Sequence, residues 1–161
     1  MTEARAPGKA ILFGEHAVVY GHPAVAVAIE AGVKVTISDN KEWAVEGRPL
    51  DSVRHPHLKS IVSRMPQGSG PYSFQISSSL FSAAGQGSSA ALSVAAHLAL
   101  SNQIGESSNL IDAAKSAHLA EAAAQSGRAS PTDTATSAFG GCVVVSSSLP
   151  PMVKHVFGAE L

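Results

Sequence analysis

The residues best suited to chemistry lie in an apolar segment near the start of the sequence. Residues 6–29 read APGKAILFGEHAVVYGHPAVAVAI and carry Lys9, Glu15 and His16 among small and aliphatic side chains. Pro7 and the glycines that follow it make one continuous helix unfavourable. Two apolar runs, KAILF and AVAVAI, predict strands on either side of a glycine-bounded loop. Loops of this kind carry function more often than packing, so we predict that this one faces a ligand.

A second stretch, SSSLFSAAGQGSSAALSVA, places Gly85 and Gly87 before two serines that open an alanine-rich segment. Unpaired N–H groups and a partial positive charge at a helix start favour an anion such as phosphate, and glycine lets the backbone come close to it. Ser88 and Ser89 add hydroxyls that donate to phosphate or ligate Mg²⁺. The pattern is equally typical of a glycine turn with a serine N-cap, and it is not a Walker A loop.

A third stretch, SGRASPTDTATSAFGG, is polar and lies between a predicted helix and an apolar strand. We interpret it as a turn in which Asp133 follows Pro131. A carboxylate there either satisfies its own backbone, as turn aspartates commonly do, or accepts a proton or organises a cation. Lys9 also has two interpretations, because a lysine near a chain start is more often solvated than catalytic.

The elements that must position these residues indicate a mixed α and β domain. Alternating or β-branched runs predict strands at residues 9–13, 24–29, 32–38, 42–47, 72–79 and 139–147. Helices are predicted at residues 55–65, 87–103 and 110–126. Asn109 with Asp112 resembles a capping box for the last helix, and Gly127 is expected to close it. Residues 149–161 show no convincing closing element, and the order of elements differs from the regular alternation of a dinucleotide-binding fold.

Composition and charge exclude several classes of protein. The 161 residues are 45% hydrophobic and 14% charged, which suits one domain with a buried core. The formal net charge of -1 provides no basic stripe for nucleic acid. The single cysteine, Cys142, excludes an internal disulfide framework and favours a reducing compartment. Without a signal core or an apolar run of membrane-spanning length, we expect a soluble cytoplasmic protein with no nucleic-acid or membrane partner.

Together the three stretches resemble the GHMP kinase superfamily. APGKAILFGEHAVVYG is similar to its opening motif, AAGQGSSAA to its phosphate loop, and GRASPTDTATSAFGG to its catalytic-aspartate segment, in the archaeal form of the branch that acts on mevalonate. The resemblance covers nearly the whole chain, in the family's order. It implies an α+β fold of the ribosomal protein S5 domain 2-like type, with a mixed sheet packed with helices. Residues 1–161 then correspond to the N-terminal domain, without the family's C-terminal domain.

The resemblance implies an enzyme that transfers the γ-phosphate of ATP to the 5-hydroxyl of mevalonate in isoprenoid synthesis, with ATP and Mg²⁺ as cofactors. Asp133 matches the catalytic aspartate, which takes or orients the hydroxyl proton. Lys9 matches the lysine beside it, which lowers the pKa of that aspartate and compensates negative charge. Glu15 and His16 match residues that line the mevalonate pocket.

The resemblance also assigns phosphate and metal groups. The residues that match the phosphate loop are Gly85, Gln86, Gly87, Ser88, Ser89 and Ala90. Phe81, Ala83 and Gln86 stand where the family has proline, glycine and leucine. Ser89 and Glu121 match metal ligands, although an ungapped count back from the catalytic aspartate misses Glu121 by one position. On a helix, one position turns a side chain by about 100°.

Two other functions fit the same residues. One is another GHMP enzyme, such as phosphomevalonate kinase or mevalonate 3-kinase. The other is a truncated, non-catalytic module that binds nucleotide. Because the family completes its site with a C-terminal part, we expect the 161 residues alone to be inactive. The family also allows a homodimer of the full-length enzyme.

Overall fold

The structure, a computed structural model, describes residues 1–15, 20, 22–81, 84–127, 129–146 and 153–157. The strands within these residues are β1 (Thr2–Phe13), β2 (Ala24–Asp39), β3 (Ala44–Val45), β4 (Arg48–Pro49), β5 (Tyr72–Ser78), β6 (Cys142–Val145) and β7 (Val153–Phe157). The helices are α1 (Pro56–Val62), α2 (Ser88–Gln103), α3 (Leu110–Ala124) and α4 (Pro131–Phe139).

The strands form one mixed sheet with β2 at its centre. β2 pairs with β1 along one side, and along the other side it pairs first with β6 and then with β5, always antiparallel. β3 runs parallel to β5, while β4 and β7 extend the two ends of the order β4-β3-β5-β2-β6-β7. The mixed sheet and its helices confirm the predicted α+β class.

β1 and β2 are longer than predicted. β1 begins at Thr2 rather than at Lys9, and the two strands predicted within residues 24–38 form one strand. Gly32 lies within β2, between the two predicted strands. Its backbone passes so close to β1 that an added Cβ would clash with the carbonyl oxygen of Ala6, so only glycine fits there. Its N–H donates to Ser79 Oγ at 2.9 Å, which connects it to the end of β5 as well.

The helices cover the sheet with mostly small side chains. The largest buried side chains include Val35, Ile37, Leu58, Ile61, Phe74, Val94 and Leu100. α3 presents Ala113, Ala117 and Ala120 to the core at helical spacing. The predicted cap of this helix is confirmed, because Asn109 Oδ1 accepts a hydrogen bond from the N–H of Asp112 at 2.9 Å. No helix among the described residues has the length and apolar character to cross a membrane.

Two elements contradict the sequence analysis. Residues 131–139, interpreted as a turn, form α4, and residues 153–157 pair with β6 as a closing strand where none was expected. α4 begins at Pro131, which fits the first helical position because its missing N–H would be unpaired there anyway. Its polar face turns inward, and the Thr136 hydroxyl donates to the Thr132 carbonyl at 2.7 Å. Tertiary burial therefore makes a helix from a sequence with little helical propensity.

Candidate functional site

Lys9 and Asp133 meet between the sheet and the helices. Lys9 Nζ lies 3.4 Å from Asp133 Oδ1, and the two side chains are 8% and 28% exposed. β1 carries Lys9 just after an irregularity between Pro7 and Lys9, which shifts the register against β2. Asp133 stands in the first turn of α4, where a carboxylate is favoured by the helix dipole. The solvated-lysine and turn-aspartate interpretations are both wrong.

Burial dominates the electrostatics of Asp133. It raises the pKa of this carboxyl above the ordinary aspartate value of 3.8, and Lys9 opposes the rise without cancelling it. Glu121 and Glu15 raise the pKa further, since their negative charges disfavour a third one. Lys9 therefore lowers the pKa of Asp133, as the resemblance implies, but its effect is smaller than that of burial.

The start of α2 lies directly against Lys9. Gly87 is the N-cap, with a φ of 70°, so the alternative of a serine N-cap is wrong. A Cβ at Gly87 would lie 3.0 Å from Lys9 Cγ, and the N–H of Lys9 donates to the carbonyl of Gln86 at 2.9 Å. With no side-chain cap, the first-turn N–H groups of α2 remain suited to an anion beside the ammonium group.

Glu121 forms a second, buried polar cluster next to this helix start. Its Oε2 accepts hydrogen bonds from Ser89 Oγ at 3.1 Å and from Gln125 Nε2 at 2.7 Å. His57 Nε2 of α1 lies 3.1 Å from Oε1, a close electrostatic contact without hydrogen-bond geometry. The one-position offset does not separate Glu121 from Ser89, because α3 ends at Ala124 and a non-helical connection precedes α4.

The oxygens of this cluster fit a hard cation. Glu121 Oε1 is buried and has no hydrogen-bond partner among the described residues. A buried carboxylate oxygen with a free lone pair, close to a serine hydroxyl, is the type of ligand set that Mg²⁺ shares with substrate phosphates and water. The same part of the chain contains no group of three or more histidine, cysteine, aspartate or glutamate side chains arranged around a metal.

The structure places most of the predicted site residues together. Lys9, Asp133 and the turn from Gly85 to Ala90 are adjacent, and Glu15 is close enough to affect the pKa of Asp133. His16 lies outside the described residues. The sequence analysis did not identify His57 as a neighbour of the site, because it assigned residues 55–65 only to a short helix. No local signal connects that histidine to Glu121, because the contact joins residues far apart in the chain.

A mixed α+β domain that sets a lysine–aspartate pair beside a glycine-capped helix start has the parts of a phosphoryl-transfer domain, since that chemistry depends on positioning and charge stabilisation. Comparison with known proteins specifies the class further. The family model described as "GHMP kinases N terminal domain" matches residues 56–141, more than half of the chain. The chain therefore belongs to the GHMP kinase family.

Individual proteins are similar to this chain in sequence, in fold or in both. The mevalonate kinase of Methanothermobacter thermautotrophicus is 38% identical over 155 residues, which cover 91% of this chain and 50% of that protein. The crystal structure of Methanococcus jannaschii mevalonate kinase superimposes with a TM-score of 0.80 at 22% identity, covering 97% of this chain and 56% of that one. The crystal structure of mevalonate kinase from Staphylococcus aureus MRSA252 superimposes with a TM-score of 0.68 at 31% identity, covering 90% of this chain and 52% of that one. The chain spans about half the length of the curated relatives it matches.

Proposed function

We propose that this protein transfers the γ-phosphoryl group of ATP to the 5-hydroxyl of mevalonate, with residues 1–161 as its N-terminal domain and the cytoplasm as its compartment. The observation that carries the proposal is the Lys9–Asp133 pair, 3.4 Å apart at the glycine-capped start of α2. The substrate assignment is supported by the mevalonate kinases among the relatives, of which one is 38% identical.

In the proposed reaction, Asp133 accepts the proton of the attacking 5-hydroxyl. The oxygen of that hydroxyl forms a bond to the γ-phosphorus. The bond between that phosphorus and the bridging oxygen breaks, and ADP leaves with the electron pair. Lys9 balances the negative charge around Asp133 and the transferred group, and its low exposure keeps this charge effective. The raised pKa of Asp133 makes its carboxylate a better proton acceptor than an ordinary, fully solvated aspartate.

The start of α2 binds the phosphates in this proposal. The N–H groups of Ser88, Ser89 and Ala90 provide donors, and Gly85 and Gly87 leave the approach open. Ser89 and Glu121 would hold Mg²⁺, which supplies charge neutralisation on the phosphate oxygens when bound. Glu15 and His16 would contact the hydroxy acid.

The test is an ATP-consumption assay with R-mevalonate, phosphomevalonate and other hydroxy acids, run on the protein encoded by the complete gene. Phosphorus NMR of the product then identifies the phosphorylated hydroxyl. We expect mevalonate-dependent turnover and a 5-phosphate. Turnover with phosphomevalonate alone, a 3-phosphate, or ATP binding without turnover would each replace the proposal by one of its rivals.

The same assay on residues 1–161 alone should give no measurable turnover. The groups described above then stay open to water, and each electrostatic contribution shrinks in a high dielectric. Robust turnover by these residues alone would show that the described part of the site is sufficient.

A further inference from the structure

Gln86 connects three parts of the candidate site. Its side-chain Oε1 accepts a hydrogen bond from the backbone N–H of Phe81 at 3.0 Å. Its backbone carbonyl accepts one from the N–H of Lys9 at 2.9 Å. It also directly precedes Gly87, the N-cap of α2. One residue thus joins the entry to the glycine turn, the strand that carries Lys9, and the start of the helix.

The carbonyl of Gln86 is seated closely on β1. A Cβ at Gly8 would lie 2.9 Å from this oxygen and 2.5 Å from Leu80 Cδ2, so only glycine leaves room for the turn to reach the strand. The position of the turn is therefore linked to the position of Lys9. The side chain of Gln86 makes a separate contact, because it bonds back to the backbone of Phe81.

We propose that Gln86 is a positioning residue that braces the phosphate turn through its side-chain oxygen and does not bind the phosphates through its amide NH₂. This inference rests on the proposed function, since it defines the role of one residue within that site. It differs from the expectation that Gln86 is itself a phosphate ligand.

The physical need for a brace comes from the glycines. Gly85 and Gly87 both have positive φ values, 67° and 70°, and a Cβ at Gly85 would meet nothing within 4 Å. Glycine loses more conformational freedom on ordering than other residues, so a turn built from it is costly to fix. A hydrogen bond that orders the turn before nucleotide arrives removes part of that cost from the binding step.

Two substitutions separate a brace from a phosphate ligand. Gln86→Glu keeps the acceptor oxygen for Phe81 and removes the NH₂ group, whereas Gln86→Leu removes both at similar size. The first readout is hydrogen exchange of the Phe81 amide without nucleotide, in the protein from the complete gene. We expect Gln86→Leu to exchange about two- to tenfold faster, the range for loss of one hydrogen bond, and Gln86→Glu to match wild type. Unchanged exchange in Gln86→Leu would overturn the brace.

The second readout is the ATP dissociation constant, measured by titration calorimetry. We expect Gln86→Leu to weaken ATP severalfold with kcat within about twofold of wild type, because the chemical groups remain in place. Weaker ATP binding by Gln86→Leu with unchanged exchange of the Phe81 amide would assign the amide NH₂ to the phosphates and overturn the proposal. Gln67→Leu, an exposed glutamine outside the site, is the matched control and should change neither readout.

The two readouts also separate this inference from the proposed function. A wild-type protein that binds no ATP would contradict the proposed function. The exchange rate of the Phe81 amide would still decide whether the side chain of Gln86 braces the turn, because that measurement uses no nucleotide.

Discussion

Asp133 and Glu121 are two carboxylates of the candidate site that lie in different surroundings. The side chain of Asp133 is 28% exposed and forms an ion pair with Lys9. Glu121 is 7% exposed, and three groups contact its carboxylate: Ser89 of α2, His57 of α1 and Gln125, which directly follows α3. A partly exposed carboxylate with a raised pKa is suited to exchanging a proton, whereas a buried carboxylate that accepts two hydrogen bonds at one oxygen is suited to providing a fixed charge.

The two carboxylates also affect each other. The charge of Glu121 raises the pKa of Asp133, in the same direction as burial and against Lys9. The buried cluster around Glu121 therefore helps to set the proton affinity of Asp133. A cation at Glu121 would reduce this effect, so the occupancy of one region changes the chemistry of the other.

The largest expected effect comes from removing the proposed proton acceptor. Asp133→Asn should lower kcat roughly a hundredfold or more, the scale of a positioned acid–base group, with KM for mevalonate and ATP little changed. Folding should survive. Burial raises the folded-state pKa, so the ionised form costs stability above it, and a neutral asparagine avoids that cost.

The matched control is Asp112→Asn, an aspartate in the first turn of α3 and outside the site. It should leave kcat unchanged. Steady-state kinetics of both variants provides the check, with circular dichroism to compare their folding. A kcat for Asp133→Asn within about twofold of wild type would remove this carboxylate from the chemistry.

The pH dependence of kcat/KM should report the carboxylate of Asp133 in the free protein. As the pH falls through the pKa of Asp133, its carboxylate becomes protonated and no longer accepts a proton, so kcat/KM declines about tenfold per unit. Because this pKa is raised, the decline should begin above the range set by an ordinary aspartate at 3.8. A pH–rate profile from acid to neutral measures it, and an acid limb at or below the ordinary value would contradict the raised pKa.

Ser89→Ala addresses the second region. The hydroxyl donates to Glu121 Oε2 at 3.1 Å, and its loss removes both this bond and a candidate metal ligand. We expect the Mg²⁺ concentration for half-maximal activity to rise roughly tenfold and ATP to bind more weakly, while the backbone donors remain.

The control for this change is Ser93→Ala on the same helix. The Ser93 hydroxyl is buried without a hydrogen-bond partner among the described residues, so its removal should not affect Mg²⁺. Kinetics at varied Mg²⁺ and fixed ATP compares the two variants. If Ser89→Ala behaves like Ser93→Ala, the start of α2 does not take part in metal binding.

The sequence predicts the Lys9–Asp133 pair better than the buried cluster around Glu121. Lys9 and Asp133 lie in motifs that local pattern and family resemblance identify together, and the sheet then brings them into contact. Glu121 and His57 meet because α1 packs against α3, and no spacing along the chain encodes that approach. An ungapped count back from Asp133 misplaces Glu121 by one position, since it allows no change of length in the non-helical connection between α3 and α4.

The fold shows the same division between local and tertiary causes. α3 follows from its cap and its alanines. α4 was missed because proline and threonines resemble a turn, although Pro131 at the first helical position was an available signal. β7 forms by pairing with β6, an interaction that five residues without a turn signal do not indicate.

The smallest expected effect concerns His57. His57→Leu removes the polar neighbour of Glu121 Oε1 and leaves a buried carboxylate oxygen facing an apolar side chain. The free energy of unfolding should fall by about 1–2 kcal/mol, the cost of a buried polar group that loses its partner. Because the proton acceptor is untouched, kcat at saturating Mg²⁺ should stay within about threefold of wild type.

A double-mutant cycle with Glu121→Gln tests whether the two side chains interact. Glu121→Gln removes the negative charge that lies next to His57. His57→Leu should therefore lower the free energy of unfolding by at least about 0.5 kcal/mol less in the Glu121→Gln background than in wild type. Denaturant titration of the four proteins measures this difference. Equal costs in both backgrounds would show that His57 stabilises α1 by packing alone. In that case only the hydrogen bonds from Ser89 and Gln125 stabilise the buried carboxylate of Glu121. Glu121 then differs from Asp133 because hydrogen bonds stabilise it, whereas Asp133 is stabilised by the charge of Lys9.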